Sequence, residues 1–277
     1  MKSNSRPGSR LGILGMAAAV ALAGLAAAGC GNSSSPNGDN GGAHEPGPGS
    51  LVFEPILEMG TNAAAYRVRP GTARGVVSIP ALRGGIPIRS IGGFANNTAV
   101  TGINFDLSIE RLEIEPNAFH GAAIDGNIAI PKGVFKIGDF AFYGSAIRVL
   151  TFAPRPDDEH IEIGSSAFAE TRNLTSSIPN LPNGVTIGDF AFHRSTIENI
   201  TIPTGASVGV AAFHGWTASQ RINIPYVTLS EANTAWGGAA WKEGSNAPIF
   251  NNASPAAVQV WPLGGTTTTA AVTPRLR

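Results

Sequence analysis

The chain has 277 residues, a formal net charge of zero and 14% charged residues, well below the about 25% of an average globular domain. Neutrality gives no electrostatic hold on nucleic acid, so no nucleic-acid partner is expected. Glycine (35) and proline (20) favour many short strands and turns over long helices, and the single cysteine rules out a disulfide framework.

Met1 to Arg10 carries Lys2, Arg6 and Arg10 without an acid, and Leu11–Gly29 (LGILGMAAAVALAGLAAAG) is apolar throughout. A basic segment, an apolar segment and small residues at the boundary are the pattern of a secretory signal peptide. Cys30 follows Leu25-Ala26-Ala27-Ala28-Gly29 directly, which resembles a bacterial lipobox with Ala27 where leucine is commoner. The resemblance implies removal of residues 1–29 and lipidation of Cys30, with the membrane as first partner. A retained transmembrane anchor and ordinary cleavage after an A-x-A site are the alternatives. Removal takes three of the 19 basic residues and none of the 19 acids, leaving 16 against 19 and a mature charge of −3. Each buried acyl methylene is worth about 0.8 kcal/mol, and two or more chains hold a protein on a bilayer.

Residues 30–50 are then a flexible Gly/Ser/Pro linker, since GNSSSPNGDNGGAHEPGPGS after Cys30 has almost no apolar side chain. Such a stretch has a typical reach of about 25 Å. Residues 51–90 are expected to form an N-terminal β cap, because YRVRPG and GVVSIP alternate like the arms of a hairpin.

Residues 91–225 repeat. IGDFAFYGSAI (Ile137–Ile147) returns as IGDFAFHRSTI (Ile187–Ile197), and Ala-Phe pairs end at Phe119, Phe142, Phe168, Phe192 and Phe213, spaced by 23, 26, 24 and 21 residues. Before each Phe comes an aliphatic residue, usually followed by glycine: Ile137-Gly138, Ile163-Gly164, Ile187-Gly188 and Val208-Gly209, with Glu115-Pro116 as the exception. After each Phe comes a β-prone run ending in proline: NIAIP, VLTFAP, SSIP, NITIP and INIP. An earlier copy, IGGFANNTAVTGINF (Ile91–Phe105), places Asn96 where the Phe is expected. Units this short cannot bury their own apolar side, so neighbours must stack, with the Phe of one coil on the Phe of the next. Residues 226–254, which hold Trp236 and Trp241, are expected to cap the open end, and residues 255–277 to form a mobile tail.

This unit resembles that of the BspA-like leucine-rich-repeat proteins of bacterial surfaces, roughly I-G-x-x-A-F-x-x-C-x-x-L-x-x-I-x-I-P. The family's cysteine column holds Ala122, Ser145, Thr171, Ser195 and Trp216 here. The resemblance implies a leucine-rich-repeat solenoid, horseshoe-like, mainly short parallel strands with turns and little helix. About six coils of 21–26 residues are expected between the two caps.

Catalytic signals are few. Gly205-Ala206-Ser207-Val208-Gly209 fits G-x-S-x-G, yet Val208-Gly209 is the repeat's own step and Ser207 stands in the slot of Thr186. His120, His193 and His214 all follow the repeat Phe, and the last two lie on adjacent coils, close enough to share a transition metal or simply to face solvent. Asp157, Asp158 and Glu159 read as a solvated loop, since consecutive acids do not converge on calcium. No enzyme activity, metal site or cofactor is expected.

The surface remains. Outward strand positions are Asn127, Val149, Thr151, Thr175, Ser177, Asn199, Thr201, Arg221 and Asn223, and Arg148 is added as a cation beside them. Arg148, Thr151, Thr175, Ser177, Asn199, Thr201, Arg221 and Asn223 form the expected binding face, suited to broad, shallow contact, unless it serves only solubility. The family resemblance implies an exported, lipid-anchored protein at the outer membrane or cell surface, adhering to host matrix proteins, other cells or a glycan. A periplasmic structural or glycan-binding envelope component is the alternative. Gly31 after Cys30 lacks the aspartate of some retained lipoproteins, which favours export.

Overall fold

The computed structural model describes residues 49–58, 63–156, 159–179 and 181–251. The expected signal peptide, Cys30 and tail lie outside these described residues, as do Trp261, Asp157 and Asp158. In chain order the strands are β1 (Val52–Leu57), β2 (Ala64–Arg69), β3 (Gly75–Ile79), β4 (Leu82–Arg83), β5 (Ile86–Ile91), β6 (Val100–Phe105), β7 (Leu112–Ile114) and β8 (Asn127–Ile130). They continue as β9 (Val134–Ile137), β10 (Val149–Phe152), β11 (Glu162–Ile163), β12 (Thr186–Ile187), β13 (Asn199–Thr201), β14 (Ser207–Val208) and β15 (Arg221–Ile224). Among the described residues one α-helix, α1 (Leu229–Ala235), and a short 3-10 turn (Ala240–Lys242) precede β16 (Ile249–Asn251).

Strands β2, β5, β7, β9, β11, β12 and β14 pair in that order and in parallel, with β1 antiparallel to β2 at the edge. A second parallel column runs through β3–β6, β8–β10 and β13–β15–β16, and a bridge from Ile178 to Ile200 continues it. Each strand therefore pairs with its counterpart one coil away, the ladder of a β-solenoid of about eight turns. That exceeds the six expected. The first coil, β2 and β3, and the last, which carries α1 and β16, lack the Ala-Phe pair, so the repeat pattern does not reveal them. The arms expected to form a hairpin, YRVRPG in β2 and GVVSIP in β3, do not pair with each other: β2 pairs antiparallel with β1 and parallel with β5, and β3 pairs parallel with β6, so both belong to the first coil.

The recurrent IGDFAF is explained residue by residue. Ile137 and Ile187 are buried in the core. At Gly188 two coils nearly touch: an added Cβ would stand 2.7 Å from the Gly164 carbonyl carbon and 2.7 Å from the Ser165 nitrogen. Asp139 Oδ1 accepts from the Ser165 amide at 2.7 Å, and Asp189 Oδ1 accepts from the Val210 amide at 2.7 Å. Phe140 and Phe190 hold left-handed corners, with φ of 56° and 55°, and are 40% and 41% exposed. A left-handed corner costs a non-glycine residue about 1–2 kcal/mol. Alternate amides there reach the next coil: Phe140 N donates to Ser165 O at 2.9 Å and Phe142 N to Ala167 O at 2.7 Å, while Ala141 N between them donates back to Gly138 O at 3.2 Å. Ala141 and Ala191 fill positions with no accessible surface, and Phe142 and Phe192 enter the core.

Inside, phenylalanine rings form one column. Centroids are 5.0 Å apart for Phe119–Phe142, 5.2 Å for Phe142–Phe168, 5.5 Å for Phe168–Phe192 and 5.9 Å for Phe192–Phe213. The copy expected to lack its Phe does not lack it. Phe94 packs on Phe119 at 5.1 Å with its ring tilted by 37°, and its amide donates to Ala118 O as Phe119 N donates to Ala141 O. The turn from Ile91 is two residues shorter than its neighbours, so spacing alone assigned Asn96 wrongly. Glu115, which replaces the repeat glycine, accepts from Arg69 Nη1 at 2.8 Å and from the Ser90 hydroxyl.

The column that replaces the family's cysteine is buried throughout: Ala122, Ser145, Thr171, Ser195 and Trp216. The Thr171 hydroxyl donates to Phe168 O at 2.7 Å, whereas the Ser145 and Ser195 hydroxyls find no partner among the described residues. Burying a hydroxyl without a hydrogen bond costs about 1–3 kcal/mol. Ser145→Ala is therefore expected to raise stability by about 1 kcal/mol in a urea titration, and Thr171→Val to lower it by about 1 kcal/mol. Destabilisation by Ser145→Ala would show that the hydroxyl is satisfied.

The last coil is closed by aromatic rings. Trp216 and Trp241 meet Phe213 edge-on at 5.0 and 6.2 Å, and Trp236 meets Trp241 at 4.8 Å. Trp236 Nε1 donates to Ala206 O at 2.8 Å, pinning the cap. The start of α1 is a capping box in which Glu231 N donates to Thr228 Oγ1 at 3.2 Å and Thr228 N to Glu231 Oε2 at 3.1 Å.

Candidate binding face

Alternation in the second strand column builds the face. Ile128 and Ile130, Leu150 and Phe152, Ile200 and Ile202, Ile222 and Ile224 point inward, and their neighbours point out. Register aligns the outward residues in rows: Asn127 with Val149, Ala129 with Thr151, Asn199 with Arg221 and Thr201 with Asn223. Thr151, Thr175, Ser177 and Arg221 are exposed, and Asn199, Thr201 and Asn223 are half-buried.

The last three are tied together. Asn223 Nδ2 donates to Asn199 Oδ1, to Ile200 O at 3.3 Å and to Thr201 Oγ1 at 3.3 Å. The Arg221 guanidinium lies over the Phe250 ring, 5.1 Å from its centroid. Arg148 departs from the expectation. It precedes β10 rather than standing in a strand row, and its Nη2 donates to Asp125 Oδ2 at 2.8 Å, so its charge is already matched. Exposed pairs of this kind contribute at most about 1 kcal/mol.

The face is not uniformly flat. Near its C-terminal end Ser177, Asn199 and Arg221 border a cleft of about 500 Å³ together with Thr196, Glu198 and Gln220. An adjoining cleft of about 430 Å³, lined by Arg172 and Arg194, shares Thr196, Ser219 and Gln220 with it. Gln220 is the brace between coils. Its Nε2 donates to Ser195 O at 3.0 Å and Ile197 O at 2.9 Å, and its Oε1 accepts from Thr217 N at 2.9 Å. Sequence reading missed Thr196, Glu198 and Gln220 because it followed strand positions only. The turn that precedes each strand carried the signal, as Ser195-Thr196 and Thr217-Ala218-Ser219.

The catalytic and metal candidates fall on the other sides of the coil. Ser207 lies within β14, paired with Thr186 of β12, as the repeat reading requires. His120 stacks on Tyr143 at 5.0 Å with planes 5° apart. His193 and His214 are brought together, Nδ1 to Nδ1 at 3.0 Å. Burial, then the His214 and Arg194 charges, hold the His193 imidazole below its ordinary range, against the pull of Glu170. Glu170 sits below the usual carboxylate range although burial works in the opposite direction, because Arg172 and Arg194 bond to it. Among the described residues no three or more His, Cys, Asp or Glu side chains gather as a metal cage.

A family model described as a BspA type leucine rich repeat region matches residues 90–220 and 185–235, in 6 copies. No curated protein and no solved structure matches the chain.

Proposed function

Since the chain belongs to the BspA-type leucine-rich-repeat family, we propose that it is an exported lipoprotein, anchored through Cys30, whose solenoid binds a macromolecule through the second strand column. Solenoids of this kind are characteristically binding scaffolds. The observation that carries the reading is the outward surface of that column. Short amide and hydroxyl side chains stand in register on parallel strands and lead into a cleft edged by Arg221, with Phe250 beneath the guanidinium. An arginine stacked on an aromatic ring is pre-organised for contact with a protein or a carboxylate. On this reading residues 1–29 are removed, residues 30–50 give slack above the membrane, and host matrix proteins or the surfaces of other cells are the partners.

The cleft favours a second reading, a glycan-binding component of the envelope. Its volume of about 500 Å³ suits a small ligand, and amide, hydroxyl and arginine groups line it. Purified protein is expected to bind immobilised matrix proteins or whole cells, with Asn199→Ala/Arg221→Ala weakening binding at least about tenfold. Protease added to intact cells is expected to cleave the protein. Resistance to protease, together with binding to glycans but not to matrix proteins or cells, would reject the adhesive role in favour of the second reading.

A further inference from the structure

The histidine pair is unused by either reading. His193 and His214 occupy the same position on consecutive coils, directly after the core Phe192 and Phe213, so the inter-coil ladder fixes their spacing. Their Nδ1 atoms stand 3.0 Å apart and their ring centroids 4.9 Å. Phe190 flanks both rings, at 5.9 and 6.0 Å. On the far side of His214 a Cβ at Gly244 would collide with the imidazole, so this glycine makes room for the ring.

Two imidazole nitrogens bound cis to one square-planar or octahedral ion, with bonds of about 2.0–2.1 Å, lie about 2.9 Å apart; in a tetrahedron they lie about 3.3 Å apart. The observed 3.0 Å, which is also the length of a hydrogen bond between the rings, is close to the right-angled arrangement, so little movement is needed to reach it. We propose that His193 Nδ1 and His214 Nδ1 chelate one late first-row divalent ion in a tetragonal site, copper(II) above all, with water completing the shell. Copper(II) heads the affinity order of these ions and prefers tetragonal nitrogen donors.

The proton balance is simple. In the hydrogen-bonded pair one Nδ1 donates and the other accepts. Chelation requires both Nδ1 atoms free, so the donating ring carries its proton on Nε2 instead. For His193 that nitrogen lies 3.7 Å from Glu170 Oε1, near the carboxylate but beyond hydrogen-bond distance. The nearby Arg194 charge opposes a dication, but its Nη1 is bonded to the same Glu170 oxygen at 3.4 Å.

The test titrates copper(II) chloride into the purified full-length chain in a non-coordinating buffer, followed by calorimetry and electron paramagnetic resonance. Wild type is expected to hold one copper ion with two imidazole nitrogens resolved in the spectrum. His193→Ala and His214→Ala should each weaken that site at least about tenfold, and His193→Gln likewise. Cys30 and the other histidines are present in every variant, so only the pair is varied. Copper should raise the melting temperature of wild type and not of the variants. A wild-type spectrum with fewer than two imidazole nitrogens would overturn the proposal even if a variant failed to fold. So would unchanged affinity in either alanine variant.

Discussion

Phe168→Ala is expected to lower stability by about 3–5 kcal/mol, the range for truncating a buried phenylalanine. Phe168 is wholly inaccessible and stacks on Phe142 at 5.2 Å and on Phe192 at 5.5 Å. Its loss leaves a void in the middle of the column and deprives two neighbours of ring contact at once. In a solenoid each coil touches only its neighbours, so stability is a sum of coil and interface terms. One substitution therefore weakens two interfaces. Phe190→Ala is the matched control, because Phe190 is 41% exposed at a left-handed corner. It should cost less than about 1 kcal/mol. Urea titrations followed by circular dichroism decide the matter. Equal losses at the two positions would mean that the stack does not carry the fold.

The contrast between these two phenylalanines shows what the sequence reveals and what it hides. Repetition made the core column legible, because stacking requires the same apolar residue at the same place in every coil. Both phenylalanines of IGDFAF recur, however, and recurrence does not distinguish a core residue from a corner residue. Backbone handedness separates them, since φ of 55° at Phe190 turns its side chain out. Counting also failed where a turn changed length. Phe94 reaches the column although it lies two residues nearer its isoleucine than in other coils, so Asn96 was assigned in its place. The first and last coils escaped notice for a related reason: their strands pair through backbone groups, which tolerate residues outside the pattern.

Of the expected binding face, the strand alternation was readable and the turns were not. Period-two patterning predicts which of Asn199, Ile200 and Thr201 points out, and the burial agrees. It does not predict that Asn223 bonds back to Asn199 and Thr201, or that Arg148 is matched by Asp125, because those depend on neighbours 22 to 24 residues away. Gln220 was missed in the same way. A glutamine in a turn has no local signature for bracing two carbonyls of the preceding coil.

Gly188→Val should be nearly as damaging as loss of a core ring, although it adds atoms rather than removing them. Ideal geometry places a Cβ there 2.7 Å from both the Gly164 carbonyl carbon and the Ser165 amide nitrogen, closer than real Cβ atoms come. Those atoms are backbone and have no rotamer through which to yield. Relief requires the two coils to part, which strains the bond from Gly188 N to Ile163 O at 2.8 Å. Overpacking costs about 1–3 kcal/mol when side chains can move; with rigid neighbours the loss should reach about 3 kcal/mol or more. Gly144 is a glycine of the other kind. Its φ is +60° and nothing lies within 4 Å of an added Cβ. Gly144→Ala should cost about 1 kcal/mol, from the left-handed backbone alone. Asparagine tolerates that backbone, so Gly144→Asn should recover most of the loss while Gly188→Asn recovers none. Thermal melts of the four variants separate steric from conformational demand. A Gly188→Val protein that melts with wild type would show that the coils are not in backbone contact, and the close approach on which the IGD triplet depends would have to be abandoned.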